Sequence, residues 1–358
     1  LSQYFINPSS FGVPIPPVVS DGSWTEIGRT TLGAPGDDIT VSGLPNKEFY
    51  MILVDIFDSP DIQLNIRLGD GGVDSGANYA SRDANNGTAD VSRATQNQIL
   101  LSVNSVTSLF QFGFGYINNL WGHEKLVSFR GGRWEDGVQL GNFRSQVAGK
   151  WSNLSPLDTI NINNAGTGSF PTGSELVVLG WSRFDPQLPN FWNLLGEKTA
   201  VGGEDIVITP NFTKRKYLWI NNQVSKGGTS QFAYQGRFGD GTVQTSPTNL
   251  YDLRFANSSF ADQLFSGTEY SILTSGNSNN YANFFFINKV GQEKAGIGQG
   301  TSDTSQFSPP NDIQRNMVSV RNRDLTLKAG QIDIASMFRF SGVQTIGAGS
   351  KITVWGND

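Results

Sequence analysis

"RLGDG" occupies residues 67–71 and "RFGDG" occupies residues 237–241. Each follows a run of alternating apolar residues. Asp-Gly is a favoured pair for a tight turn with positive φ. An Asp between two glycines also suits a calcium loop, but such a loop needs further acidic oxygens at alternating positions. "DGGVD" supplies Asp70 and Asp74, whereas "DGTVQ" supplies Asp240 alone. The pair therefore reads as one turn written twice.

The match extends in both directions. "WTEIGRTTLGAPGDDITV" from Trp24 aligns with "WNLLGEKTAVGGEDIVI" from Trp192, and "KEFYMIL" from Lys47 with "KRKYLWI" from Lys214. "INNLWGHEK" from Ile117 then meets "INKVGQEK" from Ile287, and "GSELVVLG" from Gly173 meets "GSKITVWG" from Gly349. The order is kept at a spacing of roughly 170 residues, far beyond the 20–50 of a solenoid repeat. The chain thus divides into an arm (residues 1–22), one copy (23–185) and a second copy (186–358). "SRFDPQLPN" at 182–190 is a short, fairly stiff connector.

Within each copy the apolar residues alternate or form short runs. In "IQLNIRL", Ile62, Leu64, Ile66 and Leu68 share one face and Gln63, Asn65 and Arg67 the other. That is the period of a strand with one wet face. No helical stripe persists over three turns. With 42 glycines, 24 Phe, 9 Tyr and 8 Trp among 358 residues, the composition suits many short strands around an aromatic core. The expected fold is all-β: two tandem, internally duplicated, jelly-roll-like β-sandwich domains of about eight strands each, with an extended N-terminal arm.

Charge and composition narrow the function. The net charge of −5 offers no basic field for nucleic acid or an anionic membrane surface. No apolar run approaches a membrane helix and no signal peptide is visible. The absence of cysteine removes disulfides, thiolate metal sites and cysteine nucleophiles. The single histidine, His123, aligns with Gln292 and reads as a turn residue rather than a member of a triad. Glu124 and Glu293 recur in "EK" pairs, and that repetition favours a structural role. No enzyme, cofactor or metal is expected.

Sugar binding has a candidate in Trp134. Trp121, Trp134 and Trp151 cluster late in the first copy, and "RGGRWEDG" at 130–137 reads as a loop tip carrying Trp134 between charges. Trp24 and Trp192, repeated at the start of each copy, read as core. Four Asn-x-Ser/Thr acceptors stand at Asn86, Asn153, Asn211 and Asn257.

The arm "LSQYFINPSSFGVPIPPVV" has no counterpart before the second copy. Tyr4, Phe5, Ile6, Phe11, Val13 and Ile15 make it apolar, while Pro8, Pro14, Pro16 and Pro17 forbid a helix or a central strand. Such a segment lies either on its own domain or on a neighbour's open sheet edge.

"SGANYASRDANNG" at 75–87, "HEKLVSFRG" at 123–131, "GSELVVLGW" at 173–181 and the closing "GSKITVWG" resemble turn and strand patterns of virion structural proteins of phages and related viruses. The resemblance implies a tandem jelly-roll-like subunit on the outside of a particle: capsid, decoration or fibre-associated. It transfers no functional residues. Its partners would be further copies of itself and other virion proteins. The alternatives are a secreted or surface carbohydrate-binding protein, meeting host glycans through Trp134, and a cellular extracellular lattice or filament subunit.

Overall fold

The computed structural model describes residues 23–86, 90–102, 109–134, 143–183, 185, 189–225, 232–244, 251–256, 263–267, 270–276, 280–303, 313–322, 325–339 and 345–358. The arm, with Tyr4, Phe5, Ile6, Phe11, Val13 and Ile15, lies outside the described residues.

The first copy opens with β1 (Thr25–Thr31), β2 (Asp38–Val41), β3 (Phe49–Ser59), β4 (Leu64–Gly69), β5 (Tyr79–Asn85) and β6 (Val91–Gln96). It continues with β7 (Ile99–Ser102), β8 (Leu109–Asn118), β9 (Lys125–Trp134), β10 (Phe143–Trp151), β11 (Thr159–Asn164) and β12 (Glu175–Trp181). The second copy opens with β13 (Asn193–Thr199), β14 (Ile206–Ile208), β15 (Tyr217–Val224), β16 (Phe232–Asp240), β17 (Thr242–Val243) and β18 (Tyr251–Ala256). Then come β19 (Gln263–Gly267), β20 (Tyr270–Gly276), β21 (Asn280–Ile287), β22 (Lys294–Asp303) and β23 (Ile313–Asn322). The five-residue helix α1 (Leu325–Ala329), β24 (Ile334–Arg339) and β25 (Lys351–Asn357) close the chain.

Each copy is an antiparallel sandwich. A large sheet in the order β1-β12-β3-β8-β9-β10-β5-β6 faces a small one in the order β2-β11-β4-β7. The second copy repeats this as β13-β25-β15-β21-β22-β23-β18-β19 over β14-β24-β16-β17, with β20 also paired to β16. Strands are thus more numerous than eight per copy, because short edge strands extend both sheets.

Alternation along β3 shows how the layers form. Tyr50, Ile52, Val54 and Ile56 point into the first sandwich, against Ile39, Leu64, Ile66, Leu68, Ile160 and Ile162 of the small sheet. Met51 and Leu53 point the other way and are equally buried. A strand apolar on both faces is covered on both faces, and here the second cover is the other copy. Met51, Leu53, Phe112, Phe114, Val177 and Leu179 pack against Phe191, Trp192, Tyr217, Phe285, Ile287 and Ile297. Phe114 and Phe285 meet with ring centroids 4.4 Å apart. The two large sheets therefore lie face to face, and the small sheets form the outer layers. One side of the predicted strand pattern needs correction: Asn65, placed on the wet face, is fully buried and its amide donates to the Gln63 carbonyl at 2.8 Å.

The copies superpose with a one-residue slip that the sequence alignment hides. The Asn119 N–H donates to the Glu48 carbonyl, and the Asn288 N–H to the Lys216 carbonyl, both at 2.8 Å. Tyr50 faces Gly180 across the ladder, whereas Leu218 faces Gly356. Phe49, not Tyr50, is thus the counterpart of Tyr217. A slip of one residue exchanges the faces of a strand. It puts Tyr50 inside its own sandwich and Tyr217 in the seam between the two.

Candidate functional site

The repeated polar motifs are structural devices. Gly71 and Gly241 have φ of 72° and 74°, the left-handed region that favours glycine. The Gly71 N–H donates to both Asp158 carboxylate oxygens at 3.0 and 3.1 Å, and the Gly241 N–H to Asp333 Oδ1 at 2.7 Å. Asp74 accepts from the Trp151 indole, the Asn78 amide and the Gly76 N–H. Among the described residues no group of three or more His, Asp or Glu could hold a metal ion. Gly241→Ala is expected to cost about 1 kcal/mol through the φ penalty. Added calcium should leave the melting temperature of the parent chain unchanged; a rise of several degrees would restore the metal-loop reading.

The "EK" pairs work through their lysines. Lys125 is fully buried and donates to the carbonyls of Leu120, His123 and Leu154 at 2.9, 2.8 and 3.3 Å. Lys294, its counterpart, donates to those of Lys289 and Gln292. Glu124 pairs with Lys150 at 2.9 Å, and His123 is an exposed turn residue. Burial pushes the Lys294 ammonium down to about 7 from 10.5, with Asp240 opposing. Between those values the unfolded chain holds a proton that the folded chain has released, so stability rises with pH there. Urea midpoints at pH 7 and pH 10 should show that rise, and Lys294→Met should flatten it.

Trp134 is not on a loop tip. It ends β9, is 1% exposed and belongs to the cluster between the copies. Its ring lies over Gly132, where a Cβ would come within 2.6 Å of both the Trp134 ring and Ile297 Cδ1. The neighbouring charges misled because Arg133 is itself buried. Trp151 is also buried, stacked on Tyr79. Trp121, in the turn before Lys125, is the tryptophan that faces solvent, at 75% exposure. Of the glycosylation acceptors, Asn86 accepts the Arg144 N–H at 2.8 Å and Asn153 the Ser155 N–H at 2.9 Å. Asn211 is exposed and Asn257 lies outside the described residues.

Charged side chains converge at the rim of the seam. Glu175 Oε1 accepts from Lys216 Nζ at 2.5 Å, the Tyr217 hydroxyl at 2.6 Å and Arg29 Nη1 at 3.3 Å. Its Oε2 accepts from Thr31 at 2.5 Å. Asp55 pairs with Lys289 of the second copy. Although burial opposes it, hydrogen bonds from Lys216, Thr31 and Tyr217 hold the Glu175 carboxyl down at about 2. Burial pushes Asp55 the other way, upward, with Lys289 opposing. The Lys216 ammonium is pushed down by burial and by Lys289, with Glu175 pulling it back. Lys216, Tyr217 and Lys289 reach these two carboxylates from the second copy, while Arg29 and Thr31 hold Glu175 from within the first.

Beyond the area covered by the second copy, the same outward face of the first large sheet continues as an open groove. Phe49 of β3, Tyr116 of β8, Leu126 of β9 and Trp181 of β12 form its floor, and Trp24 stands beside them. The groove encloses about 440 Å³, and Asn118 and Ser128 are the polar residues lining it. Trp181 stacks on Phe49 at 5.2 Å, and Trp24 lies 6.0 Å from Tyr116 and 6.5 Å from Trp181. Leu126 is 53% exposed and Tyr116 41%. Burial pushes the Tyr116 hydroxyl up to about 12, with Arg130 opposing and Tyr281 reinforcing. Of the counterparts in the second copy, Trp192, Tyr217, Phe285 and Ala295 are covered, and Asn357 stands where the first copy has Trp181. Trp24 therefore differs from Trp192: it is a partly buried wall packed against the seam cluster rather than a fully buried residue. Alternation identified these residues as apolar, but no sequence signal separates the covered part of this face from the open part.

No family model matches the chain, and no curated protein matches it. Among solved structures, the mouse laminin alpha1 chain, domains LG4-5, aligns over 95% of this chain and 92% of its own, at 9% identity and a TM-score of 0.18. A likeness that slight carries nothing toward function. The class defined by the fold is that of all-β proteins built from paired β-sandwiches.

Proposed function

We propose that the chain is a non-enzymatic structural subunit on the exterior of a virus particle, self-assembling through its sheet edges and N-terminal arm. The observation that carries this reading is the seam. Two sandwiches are locked into one block by an aromatic face and a rim of fully engaged charges, a use of charge that braces rather than reacts. The resemblance of the repeated turn and strand motifs to virion proteins points the same way. So does the open edge of the first large sheet, where β6 is mostly exposed and Val91 is 46% exposed; such edges pair with other chains. The low net charge suits a shell that does not contact the genome.

The test is the solution mass of the full chain by light scattering, beside a Val91→Lys variant. A defined oligomer weakened by the edge charge is the expected result. A single species near 38.9 kDa at every concentration overturns the reading. One observation favours a second reading, glycan binding, because Trp121 presents its ring to solvent. A glycan-array signal lost in Trp121→Ala, with mass unchanged, would establish that reading instead.

A further inference from the structure

We propose that the aromatic groove is the seat of the chain's own N-terminal arm, with residues 11–19 lying along it as a polyproline II segment. Four observations carry this. The groove is lined by Trp24, Phe49, Tyr116, Leu126 and Trp181 and holds no charged side chain. "FGVPIPPVV" is equally uncharged, and its Pro14-Ile15-Pro16-Pro17 core is held extended by the proline rings. Aromatic-lined grooves are the recurrent partners of such segments, because the stiff ligand loses little entropy on docking. Finally, the arm ends at the groove itself: Trp24, a wall residue, is the second described residue. Asp21-Gly22, just before Trp24, is a residue pair that favours a turn. A tether this short gives the arm an effective concentration in the millimolar range, ahead of any apolar segment in solution.

The groove also continues the established seam. The second copy covers one stretch of the outward face, and the arm covers the remainder. A sugar fits less well, because the lining offers few hydrogen-bonding groups to its hydroxyls. The seat stands independently of the viral reading. Where that reading holds, arms exchange between neighbouring grooves in the assembled state, and the dilute chain keeps its arm in its own groove.

The chain contains no cysteine, so the double variant Ile15→Cys, Leu126→Cys carries two thiols only. Leu126 is an exposed side chain, and its replacement leaves the fold intact. Under mild oxidation the full chain should form an Ile15→Cys to Leu126→Cys disulfide at least tenfold faster than a control chain with Ile15→Cys and Val201→Cys. Val201 is 82% exposed and lies in the second copy. Replacing Pro14, Pro16 and Pro17 with glycine should return the rate to that of the control without touching the described fold. Equal rates in test and control chains overturn the seat, as does indifference to the prolines. On a non-reducing gel the dilute chain should stay at monomer mass. A ladder of linked chains in dilute solution overturns the seat within one chain. A cross-linking chain that never associates keeps the seat and removes the assembly reading. An associating chain with control-level cross-linking does the reverse.

Discussion

Trp134→Ala is expected to lower the stability of the whole chain by about 3–5 kcal/mol, the usual range for deleting a buried tryptophan ring. The ring is 1% exposed and its neighbours come from both copies, including Ile297 across the seam. Its loss opens a cavity that close-packed sheets fill poorly. The urea midpoint should fall with one transition retained, and no glycan signal should change. Trp121→Ala is the contrasting variant, expected within about 0.5 kcal/mol of the parent because an exposed ring contributes little to stability. Equal effects in the two variants would mean that Trp134 is not held in the seam.

The second large effect is expected at Glu175. Glu175→Gln leaves Lys216 and Arg29 facing a neutral amide in a site where the carboxylate is 2% exposed. Removing one partner of a buried pair typically costs about 3–5 kcal/mol. The pH dependence follows from the same contacts. The carboxyl sits at about 2 when folded, against 4.5 ordinarily, so its contribution is complete above about 4.5. It declines as pH falls from there toward 2, by about 3 kcal/mol in all. Asp55, pushed up by burial, acts in the opposite sense: the folded chain takes up its proton first, which favours folding as the medium becomes acidic. Comparing parent and Glu175→Gln between pH 5 and pH 2.5 isolates the Glu175 part. Parallel curves would show that the carboxylate is not engaged in solution.

These two sites mark where the sequence is and is not legible. The duplication could be read because its anchors are local: a glycine with positive φ after each Asp, a lysine folded onto its own turn, and a Gly-Ser before each closing strand. The face-to-face seam could not. A strand whose second face is wet and one whose second face meets another sheet differ only in a few residues, and Met51, Leu53 and Leu179 looked like an ordinary hydrophobic run. Trp134 was assigned to a loop because charges flank it, and the burial of Arg133 depends on strands far away in sequence. The slip at Tyr217 was hidden because matching tyrosine to Tyr50 gives the better alignment, while the ladder obeys the side-chain faces. The groove needed the seam to be known first, since it is the portion of the same face left over.

The contact between Arg130 and Gln299 bears on more than packing. Lys125 and Lys294 start their strands in register, so Arg130 and Gln299 hold the same position in the two copies and touch each other. The seam as a whole is not isologous, because Trp192, Tyr217, Phe285 and Ala295 are covered while their equivalents Trp24, Phe49, Tyr116 and Leu126 line the open groove. The chain is two like domains paired off-centre within one polypeptide. Separate subunits would fall apart on dilution, because their union depends on concentration. Joined through the connector at 182–190, these two cannot be diluted away from each other, and their pairing survives at any abundance the protein reaches.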